Sequence, residues 1–436
     1  MNNEVFYHKI VRIIIKNTAF SYFNLAKMSI FREIPPTAGL PIYAKDFLSI
    51  LKTTNRQGSL EEDFKNYLGV PYAAITYSGT AALYLILETI KTLSPKKNVI
   101  IPSFVCPLLP LAIKRAGLEV KVCDIQKNNF NFDLEQLREI CSTNEDILAI
   151  VAVHLAGIPL DFDQVKRIAS GKKIFIIEDC AQSLGAEYKG KKTGTQGEFS
   201  FFSLCRGKGL TIYEGGLITT TKKEFAFEID RTIKRLIEDD YVSEGLKILE
   251  LLGYWIFYRP ELFWFVFRAP QIFWNWRGEK LKALAEYYTI DFPMHKVSGL
   301  RKNLGHYTFS RLEDAIGQQR EKADYYQQRL QDLKGIKLIR EPSGSRANYP
   351  YLALIFSDPQ KCQSAKDLFR NTGLGVSIIY ASSITEYNYL EGIVENQDCP
   401  NARYLAERTI TLTTSIYAKQ DNLDTVIEKL KNLLLT

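Results

Sequence analysis

The chain has 436 residues, more than one ordinary hydrophobic core accommodates, so about two domains are expected. Hydrophobic residues make up 46% and charged residues 24% of the chain, a balance that excludes intrinsic disorder and collagen-like repeats. The net charge of +7 comes without a dense block of Lys or Arg, which argues against a nucleic-acid partner. The seven cysteines include no C-x-x-C pair and only four histidines are present, so we expect reduced thiols and no metal site.

Neither a membrane-spanning segment nor a signal peptide is predicted. The longest stretch without a charged residue, 66–87, contains Pro71 and the polar run 76–80, which a membrane span does not tolerate. The N-terminus shows no apolar segment followed by a small-residue cleavage site. We therefore expect a cytoplasmic protein.

Residues 1–33 are predicted to form a basic amphipathic arm. Apolar residues recur at roughly helical spacing among basic ones, and Pro35 and Pro36 end the pattern. The apolar positions are Val5, Phe6, Ile10, Ile13 and Ile14, and the basic ones are Lys9, Arg12, Lys16, Lys27 and Arg32, opposed by Glu4 and Glu33.

Residues 34–230 alternate between apolar strands and amphipathic helices. Strands are predicted at 73–77, 98–101, 119–125, 147–153, 173–178, 199–203 and 217–220, and helices at 80–93, 108–116, 134–140, 162–169 and 223–237. This alternation predicts an α/β domain whose mostly parallel sheet is covered on both faces. Sheets of this kind bind ligands at the carboxyl ends of their strands.

The rest of the chain departs from this pattern. Residues 231–300 form an insert that holds all four Trp residues, with eleven aromatic residues between Tyr254 and Trp276. Residues 301–345 form a connecting region with a polar helix at 310–333, and 346–436 form a smaller C-terminal α+β domain. In that domain strands are predicted at 349–356 and 374–380, and helices at 360–371 and 422–434.

Four features of the α/β region could carry chemistry. Ser78-Gly79-Thr80 lies between a strand and a helix, where a tight turn and free helix amides make a cup for phosphate. Glu178 and Asp179 end an apolar strand, at the sheet edge where ligands bind. Lys208 lies in a loop flanked by glycines, and Tyr213-Glu214-Gly215-Gly216 precedes the next strand.

Each feature by itself has an ordinary structural explanation, such as a helix cap, a solvated lysine or a turn. Their order along the chain is more informative. A phosphate cup, then an acid, then a lysine are the groups that pyridoxal phosphate needs for its phosphate, its pyridine nitrogen and its aldehyde. The combination therefore predicts a pyridoxal-phosphate enzyme.

These residues lie in stretches that resemble the DegT–DnrJ–StrS group of sugar aminotransferases. The resemblance covers residues 34–230 well and 310–436 loosely, and it is carried by LEEDFKNYLGVPYAAITYSGTAAL, VIIPSFVCPLLPLAIKRAGLEVKVCDI, VHLAGIPLDFDQVKRIA, FIIEDCAQSLGAEYKGKKTGTQGEFSFFSL and KGLTIYEGGLITT. It implies the aspartate aminotransferase fold (fold type I), pyridoxal 5'-phosphate as the cofactor, and a homodimer. The implied reaction moves an amino group from an amino acid, expected to be glutamate, to a small keto-sugar. That sugar would be nucleotide- or lipid-linked, in polysaccharide or glycoconjugate biosynthesis.

The resemblance also implies roles for particular residues. Lys208 would bond covalently to the cofactor aldehyde and then move the proton of the reaction, and Asp179 would pair with the pyridine nitrogen. Gln182 would hydrogen-bond the phenolic oxygen of the cofactor. Ser203 would bind the phosphate together with the cup residues Ser78, Gly79 and Thr80.

Three features depart from the family pattern. The family stretch P-S-[FY]-T-[FWY] ends in an aromatic that stacks on the cofactor ring, whereas Pro102-Ser103-Phe104-Val105-Cys106 places Cys106 there. The family loop G-x-N-x-R, whose Asn reaches the phosphate of the neighbouring subunit, has no clear counterpart at 304–308. The aromatic insert and the basic arm are additions to the usual core.

Two interpretations of the insert stay open. Aromatic and basic side chains together suit a membrane surface, which 246–282 and 1–33 would contact from the cytoplasmic side. A helical hairpin packed on the core or across a dimer interface explains the same composition.

Two other functions also remain. One is a dehydratase of the same family, in which a His replaces the reactive Lys, and Lys208 argues against it. The other is a non-catalytic regulatory or binding protein on the same fold. The complete set Asp179, Gln182, Ser203 and Lys208 argues against that.

Overall fold

The structure, a computed structural model, describes residues 31–52 and 58–435. The apolar stripe predicted between Val5 and Ile14 lies outside these described residues.

A seven-stranded sheet forms the centre of the large α/β region. The first nine strands of the described chain are β1 (Tyr72–Thr76), β2 (Asn98–Pro102), β3 (Glu119–Cys123), β4 (Ile147–Val153), β5 (Phe175–Asp179), β6 (Glu187–Tyr188), β7 (Lys191–Lys192), β8 (Phe199–Ser203) and β9 (Gly216–Thr220). The sheet has the order β1-β9-β8-β5-β4-β2-β3, in which β9 runs antiparallel to its two neighbours and the other pairs are parallel. The prediction of a mostly parallel sheet is confirmed.

Helices cover both faces of this sheet, because successive strand residues point to opposite sides and both sides are apolar. The helices are α1 (Ala44–Lys52), α2 (Leu60–Leu68), α3 (Gly79–Ile90), α4 (Leu108–Arg115), α5 (Leu134–Thr143), α6 (Phe162–Ala169) and α7 (Lys223–Leu236). All seven residues of β4 are buried. On one face Ile150 packs with residues of α5 and α6, and on the other Val151 packs with residues of α3 and α4. The sheet edge where the strands end is thus held rigidly from two sides.

The aromatic insert is helical and partly packed on the core. It comprises α8 (Tyr241–Phe257), α9 (Pro260–Val266), α10 (Arg268–Trp276) and α11 (Lys280–Ala283). The ring of Trp255 lies edge-on to Phe47 of α1, with centroids 5.4 Å apart, and Leu251 and Phe263 join the same buried cluster. Part of the insert is therefore explained by packing within one chain. No helix among the described residues is both long and apolar enough to cross a membrane.

The C-terminal region follows two helices, α12 (Gly299–Phe309) and α13 (Leu312–Leu330). Its remaining elements are β10 (Ile336–Leu338), β11 (Ser345–Arg346), β12 (Tyr351–Phe356), α14 (Pro359–Phe369), α15 (Pro400–Arg408), β13 (Thr409–Thr413) and α16 (Gln420–Leu435). β10, β12 and β13 form a small antiparallel sheet, whereas β11 pairs with β6 of the large region. The domain boundaries proposed from the sequence stay predictions.

The prediction of a strand at 374–380 is wrong. Only Ser377 forms a β-bridge there, to Thr411 of β13. Gly373 and Gly375 have φ values of +67° and +70°, which turn the backbone away from an extended course. The strands that pair with β12 are instead β10 and β13, neither of which was predicted from the sequence.

A fully buried arginine joins the insert to the loop that carries Lys208. The guanidinium of Arg301 donates to both carboxylate oxygens of Glu244 on α8, at 2.6 Å each, and to the carbonyl of Glu214. Burial raises the pKa of Glu244, but hydrogen bonds from Arg301 and Ser298 outweigh burial and hold it below its ordinary value. This pair fixes α8 against the segment that follows Lys208.

Replacing Arg301 with Met should destabilise the protein by about 3–5 kcal/mol, because it leaves the carboxylate of Glu244 buried without its partner. Urea unfolding monitored by circular dichroism measures the change. The matched control is the double variant Arg301→Met/Glu244→Gln, which should regain part of the lost stability. A single variant as stable as the wild type would contradict this role.

Candidate active site

A cavity of about 500 Å³ opens at the carboxyl ends of the central strands. All eight residues proposed from the sequence line it, namely Ser78, Gly79, Thr80, Cys106, Asp179, Gln182, Ser203 and Lys208. β4, β5 and β8 each end at a lining residue, since Val153, Asp179 and Ser203 are the last residues of those strands. The topology therefore brings together groups that lie up to 130 positions apart.

The cup formed by Ser78, Gly79 and Thr80 begins α3. The Oγ of Ser78 accepts a hydrogen bond from the amide of Ala81 at 3.1 Å and caps the helix. The amides of Gly79 and Thr80 have no partner within the helix, so they remain available to an anion at its positive end. Gly216 must lack a side chain, because a Cβ there would lie 2.2 Å from the carbonyl oxygen of Ser78. Ser203 lies at the same place, since a Cβ on Gly79 would come within 3.3 Å of its Cβ.

Asp179 is a buried carboxylate at the end of β5. Its Oδ1 accepts a hydrogen bond from the amide of Ala181 at 2.9 Å, and no described residue donates to Oδ2. Burial raises the pKa of Asp179 to about 6, although the Ala181 amide and the positive charge of Lys208 oppose this. A carboxylate that is desolvated and has a vacant acceptor suits a protonated ring nitrogen.

Gln182 is held by three neighbours. Its Oε1 accepts hydrogen bonds from the amide of Ala156 at 2.9 Å and from the hydroxyl of Tyr351 at 2.6 Å. Its Nε2 donates to the hydroxyl of Tyr380 over a long 3.5 Å. An amide group has two N–H donors, so Gln182 keeps one for a ligand in the cavity.

The loop that carries Lys208 is fixed through its backbone. Gly207 has a φ of +71°, and a Cβ there would lie 2.4 Å from Oγ1 of Thr37. The amide of Lys208 donates to the carbonyl of Cys205, and its own carbonyl accepts from the amide of Leu40. The side chain of Lys208 lines the cavity and forms no ion pair with any described residue. The loop backbone therefore fixes where Lys208 begins, and its amine has no ion-pair partner among the described residues.

Cys106 lies where the resemblance places an aromatic, beside rings from other segments. Burial raises the pKa of its thiol to about 12, so it carries no charge near neutral pH. Tyr288 and Tyr380 also line the cavity, and Tyr380 packs edge-on against Phe104 at 5.5 Å between centroids. These tyrosines make the cavity aromatic although position 106 is not.

His154, which lines the cavity, forms a buried pair with Glu178. No role for this pair was predicted from the sequence. His154 Nε2 lies 3.1 Å from Glu178, and the amide of His154 donates to the carbonyl of Asp179. Burial raises the pKa of Glu178, but hydrogen bonds from His154 and two glycine amides bring it below its ordinary value. The pair supports the end of β5. The sequence could have pointed to this pair, because His154 lies in VHLAG and Glu178 in IED, and both stretches resemble the family.

The part of the insert that follows α11 supplies a wall of the cavity that was not predicted from the sequence. Tyr287, Tyr288, Asp291, Phe292 and Pro293 all line it. Nothing in their spacing marks them, because they reach the cavity through the packing of the preceding helices. The lining residue Arg206 is exposed and lies two positions before Lys208 in the chain.

The region expected to correspond to the G-x-N-x-R loop is helical. Residues 304–308 lie within α12, where Nδ1 of His306 is 2.5 Å from a carboxylate oxygen of Asp63 on α2. His306 therefore has a structural partner within the chain. The family loop has no counterpart there.

The residues present fit pyridoxal phosphate. The cup supplies amides for a phosphate. Within the described residues, Oδ2 of Asp179 has no donor and the amine of Lys208 has no ion-pair partner, so both can meet a ligand. A metal fits less well at the one buried group of His, Glu and Cys among the described residues, His154, Glu178 and Cys180. Both carboxylate oxygens of Glu178 already accept hydrogen bonds there.

Replacing Asp179 with Asn should stabilise the cofactor-free protein at pH 7 while weakening its hold on the cofactor. Because the folded-state pKa is about 6, the folded protein binds this proton more tightly than the unfolded chain. Stability is therefore lost as pH rises through the window between about pH 4 and that value. The variant has no such loss and should be more stable at pH 7 by up to about 3 kcal/mol.

Chemical unfolding of the two cofactor-free proteins at pH 4 and pH 7 measures this difference, and fluorescence titration measures cofactor affinity. Equal stability at pH 7, or tighter cofactor binding by the variant, would show that Asp179 is not the buried acceptor.

The chain is similar in sequence to an aminotransferase and, over a shorter stretch, to a dehydratase. The chain is 27% identical to UDP-4-amino-4-deoxy-L-arabinose–oxoglutarate aminotransferase of Shewanella sediminis, over 78% of this chain and 79% of that protein. It is 37% identical to GDP-4-keto-6-deoxy-D-mannose 3-dehydratase of Yersinia pseudotuberculosis, over 38% of this chain and 42% of that protein.

The fold is also that of solved structures. The PLP form of Spr1654 from Streptococcus pneumoniae superposes with a TM-score of 0.71 at 20% identity, covering 92% of this chain and 99% of that one. A family model matches residues 48–236 and 294–431, and so leaves out the whole arm and most of the insert. Because that match covers well over half of the sequence, the chain belongs to the DegT/DnrJ/EryC1/StrS aminotransferase family.

Proposed function

We propose that the protein transfers an amino group from an amino acid, glutamate, to the keto group of a sugar, with pyridoxal phosphate bound in the cavity. The observation that carries the proposal is the presence of Lys208 and Asp179 in one cavity with the cup of Ser78, Gly79 and Thr80. The relatives named above support a sugar as the acceptor. We propose that it is nucleotide- or lipid-linked, in polysaccharide or glycoconjugate biosynthesis.

Pyridoxal phosphate, when bound, supplies an aldehyde for amines and a ring that accepts electrons from the carbon being deprotonated. The protein's part is to bind, orient and move a proton. The amides of Gly79 and Thr80 and the hydroxyl of Ser203 would hold the phosphate. Ionised Asp179 would keep a proton on the ring nitrogen, and the Nζ of Lys208 would carry the proton between the amino-bearing carbon of the substrate and the former aldehyde carbon of the cofactor.

The walls suit a sugar substrate with an anionic group. Tyr287, Tyr288 and Tyr380 present aromatic rings, against which the C–H face of a sugar packs. Arg206 lines the same cavity and is exposed, so its guanidinium can meet a diphosphate entering from solvent. We propose that these four residues receive the acceptor.

A dehydratase is the second candidate, favoured by the 37% identity to the Yersinia enzyme. Its match covers less than half of either chain, and Lys208 occupies the position where such enzymes are expected to carry His. The amine of Lys208 favours amino transfer over removal of a hydroxyl.

Replacing Lys208 with Ala should lower amino transfer by at least about a thousandfold, because the covalent attachment and the proton carrier are both lost. Mass spectrometry of keto-sugar nucleotides incubated with 15N-glutamate measures nitrogen incorporation. The control variant Lys222→Ala, outside the cavity, should keep wild-type activity. A deoxygenated product without nitrogen would establish the dehydratase, and full activity of Lys208→Ala would refute the proposed mechanism.

We also propose a cytoplasmic homodimer. All seven cysteines are free, which fits a reducing compartment.

On α8, Val242, Leu246 and Leu249 are exposed along one face. On the other side of α8, Lys247 pairs with Glu214, which lines the cavity, at 2.9 Å. A second copy covering the exposed face would bury these three apolar side chains.

Replacing Leu246 and Leu249 with Asp should convert the dimer to a monomer, since it places charges in an apolar contact. Light scattering coupled to size-exclusion chromatography measures the mass. The control is Phe227→Ser on α7, which removes an apolar side chain that is 70% exposed and should leave the dimer intact. A monomeric wild type would contradict the proposal.

A further inference from the structure

Helices α9 to α11 expose a cluster of large apolar side chains. No residue of α10 is buried, and Trp276 is 81% exposed. We call this cluster the aromatic face, formed by Phe265, Val266, Ile272, Phe273, Trp276 and Leu284. Isolated exposed apolar residues are ordinary on protein surfaces, but a grouped set of this size marks a contact with something else.

A basic groove of about 830 Å³ adjoins the aromatic face, between α10–α11 and α14. Its apolar lining includes Ile272 and Leu284 of the face itself. Its charged lining residues are Arg268, Lys280, Lys366 and Arg370, and no carboxylate of the described part of the chain lines it. Arg268 pairs with Glu33 and Arg370 with Asp367, whereas Lys280 and Lys366 have no ion pair with a described residue. The groove thus combines an apolar surface with uncompensated positive charge.

Cations are interleaved with the rings of the aromatic face. The Nζ of Lys282 lies 5.0 Å from the ring centroid of Trp274, and the guanidinium of Arg277 lies 5.9 Å from that of Phe273. Trp, with an apolar body and one polar N–H, and long basic side chains both favour the boundary between lipid headgroups and acyl chains. The composition therefore matches a headgroup layer.

The basic arm joins the fold beside this face. Phe31, the first described residue, packs edge-on against Trp264 at 4.7 Å and lies 5.6 Å from Phe265. The thirty residues before it contain four Lys or Arg and one Glu. A second basic and apolar segment thus begins at the edge of the aromatic face.

We propose that the aromatic face and the basic groove dock the protein on an anionic lipid surface. Charge decides between this occupant and the protein alternatives. Lys282 is paired with Glu279, but Arg277 and Lys280 have no ion pair with a described residue, and two copies meeting through the same face would bring these charges close to the same charges of the other copy. The arm folded onto the face would likewise set its basic residues against basic residues. An anionic bilayer neutralises all of them.

Docking is tested by co-sedimentation of the full-length, cofactor-loaded protein with phosphatidylcholine vesicles and with mixed phosphatidylcholine–phosphatidylglycerol vesicles. The wild type should bind the mixed vesicles only, and binding should weaken as salt rises. The variant Ile272→Ser/Phe273→Ser/Trp276→Ser and the variant Lys280→Glu/Lys366→Glu should each bind about tenfold more weakly. Phe227→Ser should bind as the wild type does.

Several outcomes would overturn the proposal. One is that the wild type binds neither vesicle, or binds both equally. Another is that the variants of the face and the groove bind as strongly as the wild type. A third is that inorganic phosphate displaces the protein from vesicles more effectively than chloride does at equal ionic strength. A wild type that ignores vesicles, with face variants that change its oligomeric state, would identify a second copy as the occupant. Lys208→Ala should bind vesicles normally, so this test is independent of the proposed amino transfer.

Discussion

The site depends on one buried carboxylate held within electrostatic reach of one lysine. Asp179 ends a central parallel strand, so the sheet and both helical layers fix its position, and burial raises its pKa to about 6. Lys208 reaches the same cavity only because Gly207 adopts a positive φ against Thr37. A bound cation between the cup and Asp179 would relieve the desolvation cost of that carboxylate. The desolvation cost of the Asp179 carboxylate and its affinity for a protonated ring nitrogen thus both follow from its burial.

The insert connects this chemistry to the surface. Its inner face packs on α1 through Trp255 and is tied to the Lys208 loop by the Arg301–Glu244 pair. Its outer face carries the exposed aromatic residues, and its last part, after α11, lines the cavity with Tyr287 and Tyr288. Because the family model leaves out 237–293, this part of the chain is where acceptor choice and location can differ from those of relatives.

The large region could be predicted from sequence because its signals are local, and local signals also pointed to five of the residues that line the cavity, Ser78, Gly79, Thr80, Asp179 and Lys208. Cys106, Gln182 and Ser203 were proposed only through the resemblance to the family. Apolar runs and helix caps marked the strands and helices, and parallel strands carry their carboxyl ends to a common edge. The rest depended on tertiary packing. Tyr288 reaches the cavity only through the packing of the helices before it, and β13 was identified only by its pairing with β12. The apolar pattern of 374–380 resembled a strand, but Gly373 and Gly375 bend it.

The most direct measurement is to reduce the cofactor-loaded protein with borohydride and locate the modified peptide by mass spectrometry. Covalent attachment at position 208 requires the amine, the cup and the carboxylate to surround one ligand. The cofactor-derived mass should therefore appear on the peptide that contains Lys208 and on no other. Attachment to a different lysine, or none despite bound cofactor, would contradict the assignment of this cavity as the active site.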